Sequence, residues 1–213
     1  MAIGAVAIIA VAIIIAISIQ QSSASVAVPP TLDVPAAWVD RTTIGSPDAR
    51  VTIQLWEDFL CPACAQWNQG LEPRLMEELV KTGLARVEFH HFPLSQHEPW
   101  ATLAAQASEC AADQGAFWPY HTMLFEASSS QGASGLNMDQ LKRYAKDLGL
   151  DMGTFSECLE SQRYRTQVQQ SAAQAIALGL NATPSVLVNS ELLDNPFDYA
   201  ALVEKVKQAA NQP

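Results

Sequence analysis

The stretch VTIQLWEDFLCPAC, residues 51–64, holds the two features that decide the fold. Residues 51–56 are β-branched and apolar, which predicts a buried strand. Cys61 and Cys64 follow, and beyond them apolar residues recur at helical spacing. Pro62 suits the first turn of that helix, because no backbone N–H is needed there. The sequence therefore places both cysteines where a strand passes into a helix.

A second strand and a long helical segment come next. Residues 87–92 alternate in polarity and end at Pro93, which predicts a strand. A right-handed crossover through the first helix would make the two strands parallel. Apolar stripes at helical spacing then fill about residues 97–179, interrupted by a predicted loop at residues 128–135. This order of elements predicts an α/β fold.

The C-terminal part returns to a strand pattern. Residues 185–188 are apolar and follow Thr183–Pro184, which predicts a third short strand. Leu192 and Leu193 are expected to pair with it as a hairpin, and a last helix is predicted from about residue 197 to residue 210.

The N-terminal residues predict an exported protein. Residues 2–19 are uncharged and almost entirely apolar, and as a helix they would span about 27 Å, close to the hydrocarbon thickness of a bilayer. We therefore expect a transmembrane anchor, with a signal peptide cleaved near residues 25–27 as the alternative. Residues 20–37 predict a flexible, extended linker, and residues 38–213 predict the folded domain.

The charge of the chain limits its partners. The formal net charge is −10, and the first charged side chain is Asp33, so the whole charge belongs to the part after the apolar run. An acidic domain of this kind is not expected to bind nucleic acid through phosphate contacts. We interpret the charge as a contribution to solubility.

The paired cysteines suggest redox chemistry. A helix N-terminus carries partial positive charge and unpaired N–H groups, which lower the pKa of a cysteine there from about 8.5 to between roughly 3.5 and 7.5. Cys61 is therefore expected to be the exposed nucleophile, and Cys64, one turn inside the helix, the resolving thiol. A zinc site completed by Cys110 and Cys158 is the competing interpretation.

Several motifs together resemble the DsbA-like thioredoxin family, over about residues 38 to 210. The resemblance implies a thioredoxin-like fold with a helical insertion between the second and third core strands, and an activity that donates or reshuffles disulfides in exported proteins. The residues that carry it are 45–53, 57–64, 92–94, 114–125 and 183–189.

The resemblance also implies the composition of the site. Cys61, Cys64 and Pro184 would carry the chemistry, with Pro184 in the cis form facing the disulfide. Thr183–Pro184 and the dipeptide Pro62–Ala63 would contact the client chain. Ala63 stands where the most oxidising relatives have histidine, which predicts an intermediate reduction potential, about −120 to −230 mV.

The partners follow from the same resemblance. The substrates would be unfolded or reduced exported proteins, and a quinone-linked membrane oxidase of the DsbB or vitamin K epoxide reductase (VKOR) type would reoxidise the pair. No cofactor and no metal are expected, and the short linker favours a monomer. A disulfide isomerase or reductase, or a non-enzymatic thiol-based metal or folding chaperone, is the alternative function.

Four further residues need a role. Asp58 is a candidate to shuttle a proton to or from Cys64, whereas Glu57 is expected to be solvated or to cap the helix. Cys110 and Cys158 lie on predicted apolar helix faces. In an oxidising compartment they are expected to form a structural disulfide, as paired cysteines do in some relatives, with two separate buried thiols as the alternative.

Overall fold

The computed structural model describes residues 26–29 and 33–211. The predicted anchor at residues 2–19 lies outside the described residues. Within the described ranges, none of the helices has the length and apolar character needed to cross a bilayer. Val26 and Val34, both in the predicted linker, are half-buried against the core of the domain.

A mixed sheet forms the centre of the domain. Its strands are β1 Val39–Asp40, β2 Thr43–Ile44, β3 Val51–Glu57, β4 Ala85–His91, β5 Ser185–Val188 and β6 Glu191–Leu192. The predicted parallel pairing is confirmed between β3 and β4, whereas β5 runs antiparallel to β3 on its other side. Across the sheet the strands lie side by side in the order β1-β2-β4-β3-β5-β6.

Helices connect and cover these strands. The α-helices are α1 Pro62–Gly70, α2 Glu72–Leu75, α3 Trp100–Ala112, α4 Phe117–Gln131, α5 Met138–Asp147, α6 Met152–Glu160, α7 Arg165–Ala177 and α8 Tyr199–Ala210. Three 3-10 turns lie at Ala36–Trp38, Ser95–His97 and Gly132–Leu136. The crossover from β3 to β4 consists of α1 and α2, and α2 continues as a π-helical turn at Met76–Val80.

The helical insertion lies between β4 and β5, as predicted, and consists of α3 to α7. The predicted loop at residues 128–135 is wrong. Helix α4 continues to Gln131, and the chain then makes a 3-10 turn. The serines and glycines of this stretch suggested a loop, but Ser128 and Ser130 bond back to carbonyl groups of their own helix.

A disulfide joins two helices of the insertion. Cys110 in α3 and Cys158 in α6 are bonded, with their Cα atoms 5.9 Å apart. Both residues are buried within the main core. This bond takes both sulfurs out of the alternative zinc site.

The hairpin after β5 turns through two residues with positive φ, Asn189 at 46° and Ser190 at 75°. Asparagine tolerates this conformation better than serine does. Asn189 also accepts a hydrogen bond from the Thr52 amide through its side chain, at 2.8 Å. The hairpin thus ties the end of β5 to the start of β3, opposite the end of β3 that carries the cysteines.

Candidate active site

Cys61 caps the N-terminus of α1. Its backbone is extended, Pro62 is the first helical residue, and the Cys61 carbonyl accepts from the Ala65 amide at 3.1 Å. Cys61 and Cys64 are both free thiols. The expectation that Cys61 is exposed is wrong, because only 7% of its surface is accessible while Pro62 beside it is exposed. Only a small part of Cys61 is therefore open to a client.

The surroundings of Cys61 favour its thiolate. Its pKa is lowered to about 5, chiefly because the Cys64 thiol donates a hydrogen bond to it. Burial acts in the opposite direction, and Thr183 together with the amides of Ala63 and Cys64 adds further stabilisation of the anion. These amides belong to the first turn of α1, where backbone N–H groups lack helical partners. Cys61 is thus ionised at neutral pH.

Cys64 has the opposite character. It is fully buried, and this burial raises its pKa well above the ordinary thiol value. Donating to Cys61 and the nearby charge of Glu57 raise it further. The reduced pair therefore consists of a thiolate at Cys61 and a protonated thiol at Cys64.

The loop before β5 faces this pair. The Thr183–Pro184 peptide bond is cis, and the Thr183 carbonyl oxygen lies 3.3 Å from the Cys61 sulfur, where it can accept a hydrogen bond from Cys61 only in the protonated form. Pairing of Ser185 with Trp56 in β3 brings the loop to the strand end that carries the cysteines. The Thr183 hydroxyl has no other hydrogen-bond partner among the described residues, and its proximity to Cys61 lowers the pKa of that thiol.

Both carboxylate oxygens of Asp58, the candidate proton shuttle, take part in hydrogen bonds. Its Oδ1 accepts from the Leu60 amide at 2.7 Å. Its Oδ2 accepts from the Leu94 amide at 2.8 Å and lies 2.7 Å from His97 Nδ1. With both oxygens bonded, Asp58 fixes the turn into α1 against the segment after β4.

Glu57, the residue before Asp58, lies close enough to the cysteines for its charge to raise the pKa of Cys64. The expectation that it is solvated or capping is wrong, because it is 1% exposed. Burial raises its pKa well above the usual range, and the charges of Glu72 and Cys61 add to the effect. The sequence held a signal for this burial, because Glu57 shares one face of β3 with the core residues Ile53 and Leu55.

Two more ionisable groups adjoin Glu57 and were missed in the sequence. His121 Nε2 lies 3.8 Å from Oε2 of Glu57 and 3.8 Å from Oε2 of Glu72. His121 is fully buried, which lowers its pKa to about 3. Burial raises the pKa of Glu72 to about 8. These residues come from α4 and α2, and no sequence pattern joins them to β3.

A small cleft lies beside the start of α1. It has a volume of about 200 Å³ and is formed between α1 and the end of α4. Leu60, Pro62 and Ala65 form its apolar side, and Ser128, Ser129 and Gly132 form the other side. The predicted client-contacting residue Pro62 thus borders an open surface next to the redox pair.

The fold and the unequal thiols place the chain in the class of thioredoxin-fold dithiol proteins. The thioredoxin family model matches residues 39–208. The chain therefore belongs to the thioredoxin family, and the DsbA-like resemblance noted in the sequence is confirmed by its relatives.

Three of these similar proteins illustrate the relationship. The oxidised BdbD structure from Bacillus subtilis superimposes with a TM-score of 0.73 at 25% identity, covering 81% of this chain and 94% of that one. The probable disulfide bond formation protein D of Bacillus anthracis is 28% identical over 164 residues, 76% of each protein. The Na(+)/H(+) antiporter NhaA 3 of Salinispora tropica is 34% identical over 80% of this chain, which spans only 25% of that protein.

Proposed function

We propose that this protein is an extracytoplasmic thiol–disulfide oxidoreductase that introduces disulfide bonds into exported proteins through Cys61 and Cys64. The observation that carries the proposal is the unequal acidity of the two thiols, with the pKa of Cys61 at about 5 and that of Cys64 raised. The similarity to a protein named for disulfide bond formation supports the same activity.

The reaction begins with the oxidised pair. A client thiolate attacks the sulfur of Cys61, the Cys61–Cys64 bond breaks, and Cys64 leaves and takes up a proton. A second client thiolate then attacks the client sulfur of the mixed disulfide and releases Cys61 as a thiolate. Two electrons have passed from the client to the pair, and the client has gained one disulfide.

The geometry favours release of the client. A thiol of low pKa is a good leaving group, so the second step is fast when Cys61 departs. The first turn of α1 and the Cys64 thiol stabilise the departing anion. The same interactions stabilise the reduced protein relative to the oxidised one, which makes the disulfide an oxidant.

Client binding would use the loop and the cleft. The exposed backbone before Thr183–Pro184 can pair with an extended chain, and Pro62 and Ala63 border the approach to Cys61. This mode gives little preference for client sequence, because main-chain groups make the contacts. It suits an enzyme that acts on unfolded clients.

The proposal extends to the cellular setting. Residues 2–19 would anchor the protein in the cell membrane with its C-terminal domain on the extracytoplasmic side, and residues 20–37 would extend it from the bilayer. A quinone-linked membrane oxidase of DsbB or VKOR type would reoxidise the pair. The support for the anchor is the length and apolar character of the run itself.

The test is oxidation of a reduced, unfolded client protein by the oxidised enzyme. We expect one client disulfide for each Cys61–Cys64 pair consumed, no activity in Cys61→Ser, and accumulation of a mixed disulfide in Cys64→Ser. The matched control, Ser161→Ala, alters an exposed residue on the insertion, whose hydroxyl donates to the Cys158 carbonyl, and should retain full activity. Reduction of client disulfides in preference to their formation would support the reductase or isomerase alternative.

A further inference from the structure

A second group of reactive side chains lies next to the redox pair without including either sulfur. Glu57 ends β3, Glu72 begins α2 and His121 lies in α4. One carboxylate oxygen from each glutamate and one ring nitrogen of His121 all lie within 4.8 Å of one another. Three separate elements of the fold thus direct ligand-type atoms to one point.

These groups do not satisfy one another. Both oxygens of Glu57 and both ring nitrogens of His121 lack a hydrogen-bond partner among the described residues. The distances of 3.8 Å from His121 Nε2 to the two carboxylates are too long for hydrogen bonds. Buried polar atoms are rarely left in this condition, so the geometry requires another bonded species.

The surroundings make this requirement stronger. Glu57, Glu72 and His121 are 1%, 6% and 0% exposed. The rings of Phe59, Phe89, Phe117 and Phe125 pack around His121 with centroid distances of 4.9 to 5.7 Å. Both carboxyl groups lie in this apolar region, and no Lys or Arg in the described chain forms an ion pair with either one within 4.0 Å, so a bound cation would meet no competing positive charge there.

We propose that Glu57, Glu72 and His121 bind one divalent transition-metal cation, with zinc as the ion that best fits the donors. Because two of the three separations are 3.8 Å and all are within 4.8 Å, a point equidistant from the three ligand atoms lies at most about 2.5 Å from each, and shifts of a few tenths of an ångström give zinc–ligand distances of about 2.0 to 2.2 Å. One imidazole and two carboxylates suit zinc better than the soft ion Cu(I), which prefers sulfur, or calcium, which prefers oxygen alone.

A hydrogen bond from outside the cluster holds one of the proposed metal ligands in place. The Asn68 amide donates to Glu72 Oε2 at 2.8 Å and orients this carboxylate. In metal sites, hydrogen bonds of this kind to the ligating side chains fix the orientation of the ligands. Three protein ligands leave one of four tetrahedral positions open for water.

The chain contains a similar pair that lacks these properties. His91 Nε2 lies 3.1 Å from Glu109 Oε1, and both side chains are buried. Here Arg41 supplies the positive charge, at 2.6 Å from Glu109 Oε2. Glu109 is therefore a matched control. It is a buried carboxylate beside a histidine, but Arg41 already serves as its positively charged partner.

The experiment uses the full chain in detergent with Cys61→Ser and Cys64→Ser, so that no free thiol can bind metal. The protein is stripped with chelator and titrated with Zn²⁺ or Co²⁺, both in the native state and during refolding with the Cys110–Cys158 disulfide intact, because the site is buried. We expect one bound equivalent per chain. Its Co²⁺ spectrum should have visible absorption and no sulfur-to-cobalt charge-transfer band.

Substitutions locate the bound ion. Glu72→Gln in the same background should weaken binding by at least about 100-fold, whereas Glu109→Gln should leave the affinity within about threefold. Near-ultraviolet circular dichroism checks that each variant is folded, and Glu57→Gln replaces Glu72→Gln if the latter is not. The absence of a stoichiometric equivalent in the double-serine protein would overturn the proposal, as would equal binding by the glutamine variants.

Discussion

The carbonyl oxygen of Thr183 lies 3.3 Å from the sulfur of Cys61, although the two residues are 122 positions apart in the chain. The contact joins the loop before β5 to the N-terminus of α1. It places a residue from the far side of the helical insertion against the nucleophile. Thr183 also carries a hydroxyl that lowers the pKa of Cys61.

Replacing Thr183 with valine should raise the pKa of Cys61. Valine keeps the shape of the side chain but removes the hydroxyl that stabilises the thiolate, so the pKa moves from about 5 towards the ordinary thiol value. The pH dependence of Cys61 alkylation measures this shift. Thr122→Val is the control, because its hydroxyl bonds to the Trp118 carbonyl within α4. Identical alkylation midpoints in Thr183→Val and the unchanged protein would contradict the role of the hydroxyl.

The stability of the reduced protein should depend on pH. The pKa of Cys61 is about 5 in the folded state and about 8.5 in an unfolded chain, so between these values the unfolded state binds more protons. The contribution of Cys61 to the free energy of unfolding of the reduced form should therefore rise with pH from about 5 to about 8.5, and it is lost as the pH falls through 5, so it appears as the difference between the reduced and the oxidised forms. Denaturant unfolding of both redox forms across this range measures the effect. The oxidised form serves as the control, and a reduced-minus-oxidised difference that does not change with pH would contradict the account.

Asp58→Asn should affect stability more than chemistry. An amide offers one acceptor oxygen where the carboxylate offers two, so the Leu60 or the Leu94 amide loses its partner. We expect a loss of about 1 to 3 kcal/mol in the free energy of unfolding, with the pH profile of disulfide exchange unchanged. Asp48→Asn, at an exposed position, should cost far less. A shifted pH profile in Asp58→Asn would instead support the proton shuttle predicted from the sequence.

Removing the Cys110–Cys158 disulfide should destabilise the insertion without altering the active site. The bond closes a loop between positions 48 apart, which corresponds to about 4 kcal/mol in the chain-entropy model. Cys110→Ala with Cys158→Ala should therefore lower the free energy of unfolding by about that amount while the alkylation midpoint of Cys61 remains near 5. A double variant as stable as the parent protein would show that the bond has no structural role.

The sequence predicted those parts of the fold that have a local pattern. Strand β3, the start of α1 and the parallel partner β4 follow from residue spacing, and the position of the cysteines follows from them. Strands β1 and β2 were missed because each has two residues, too few for any periodicity.

The site was predicted only in part, for the same physical reason. The acidity of Cys61 has a local origin at a helix N-terminus, so the sequence indicates its direction. The cluster of Glu57, Glu72 and His121 depends on how α4 packs against α1 and β3, and contacts of this kind leave no signal in the spacing of a single sequence. The burial of Glu57 was missed for a simpler reason, because the alternation of β3 was not continued to its last residue.

The reduction potential of the Cys61–Cys64 pair tests the central claim most directly. The protein is equilibrated in glutathione buffers, and the fraction of free Cys61 thiol is measured by alkylation. A thiolate stabilised by α1, with Ala63 instead of histidine beside it, predicts a value of about −120 to −230 mV, as expected for a protein that passes its disulfide to clients. A value of about −270 mV or lower, as in thioredoxin, would contradict the oxidase assignment and indicate a reductase.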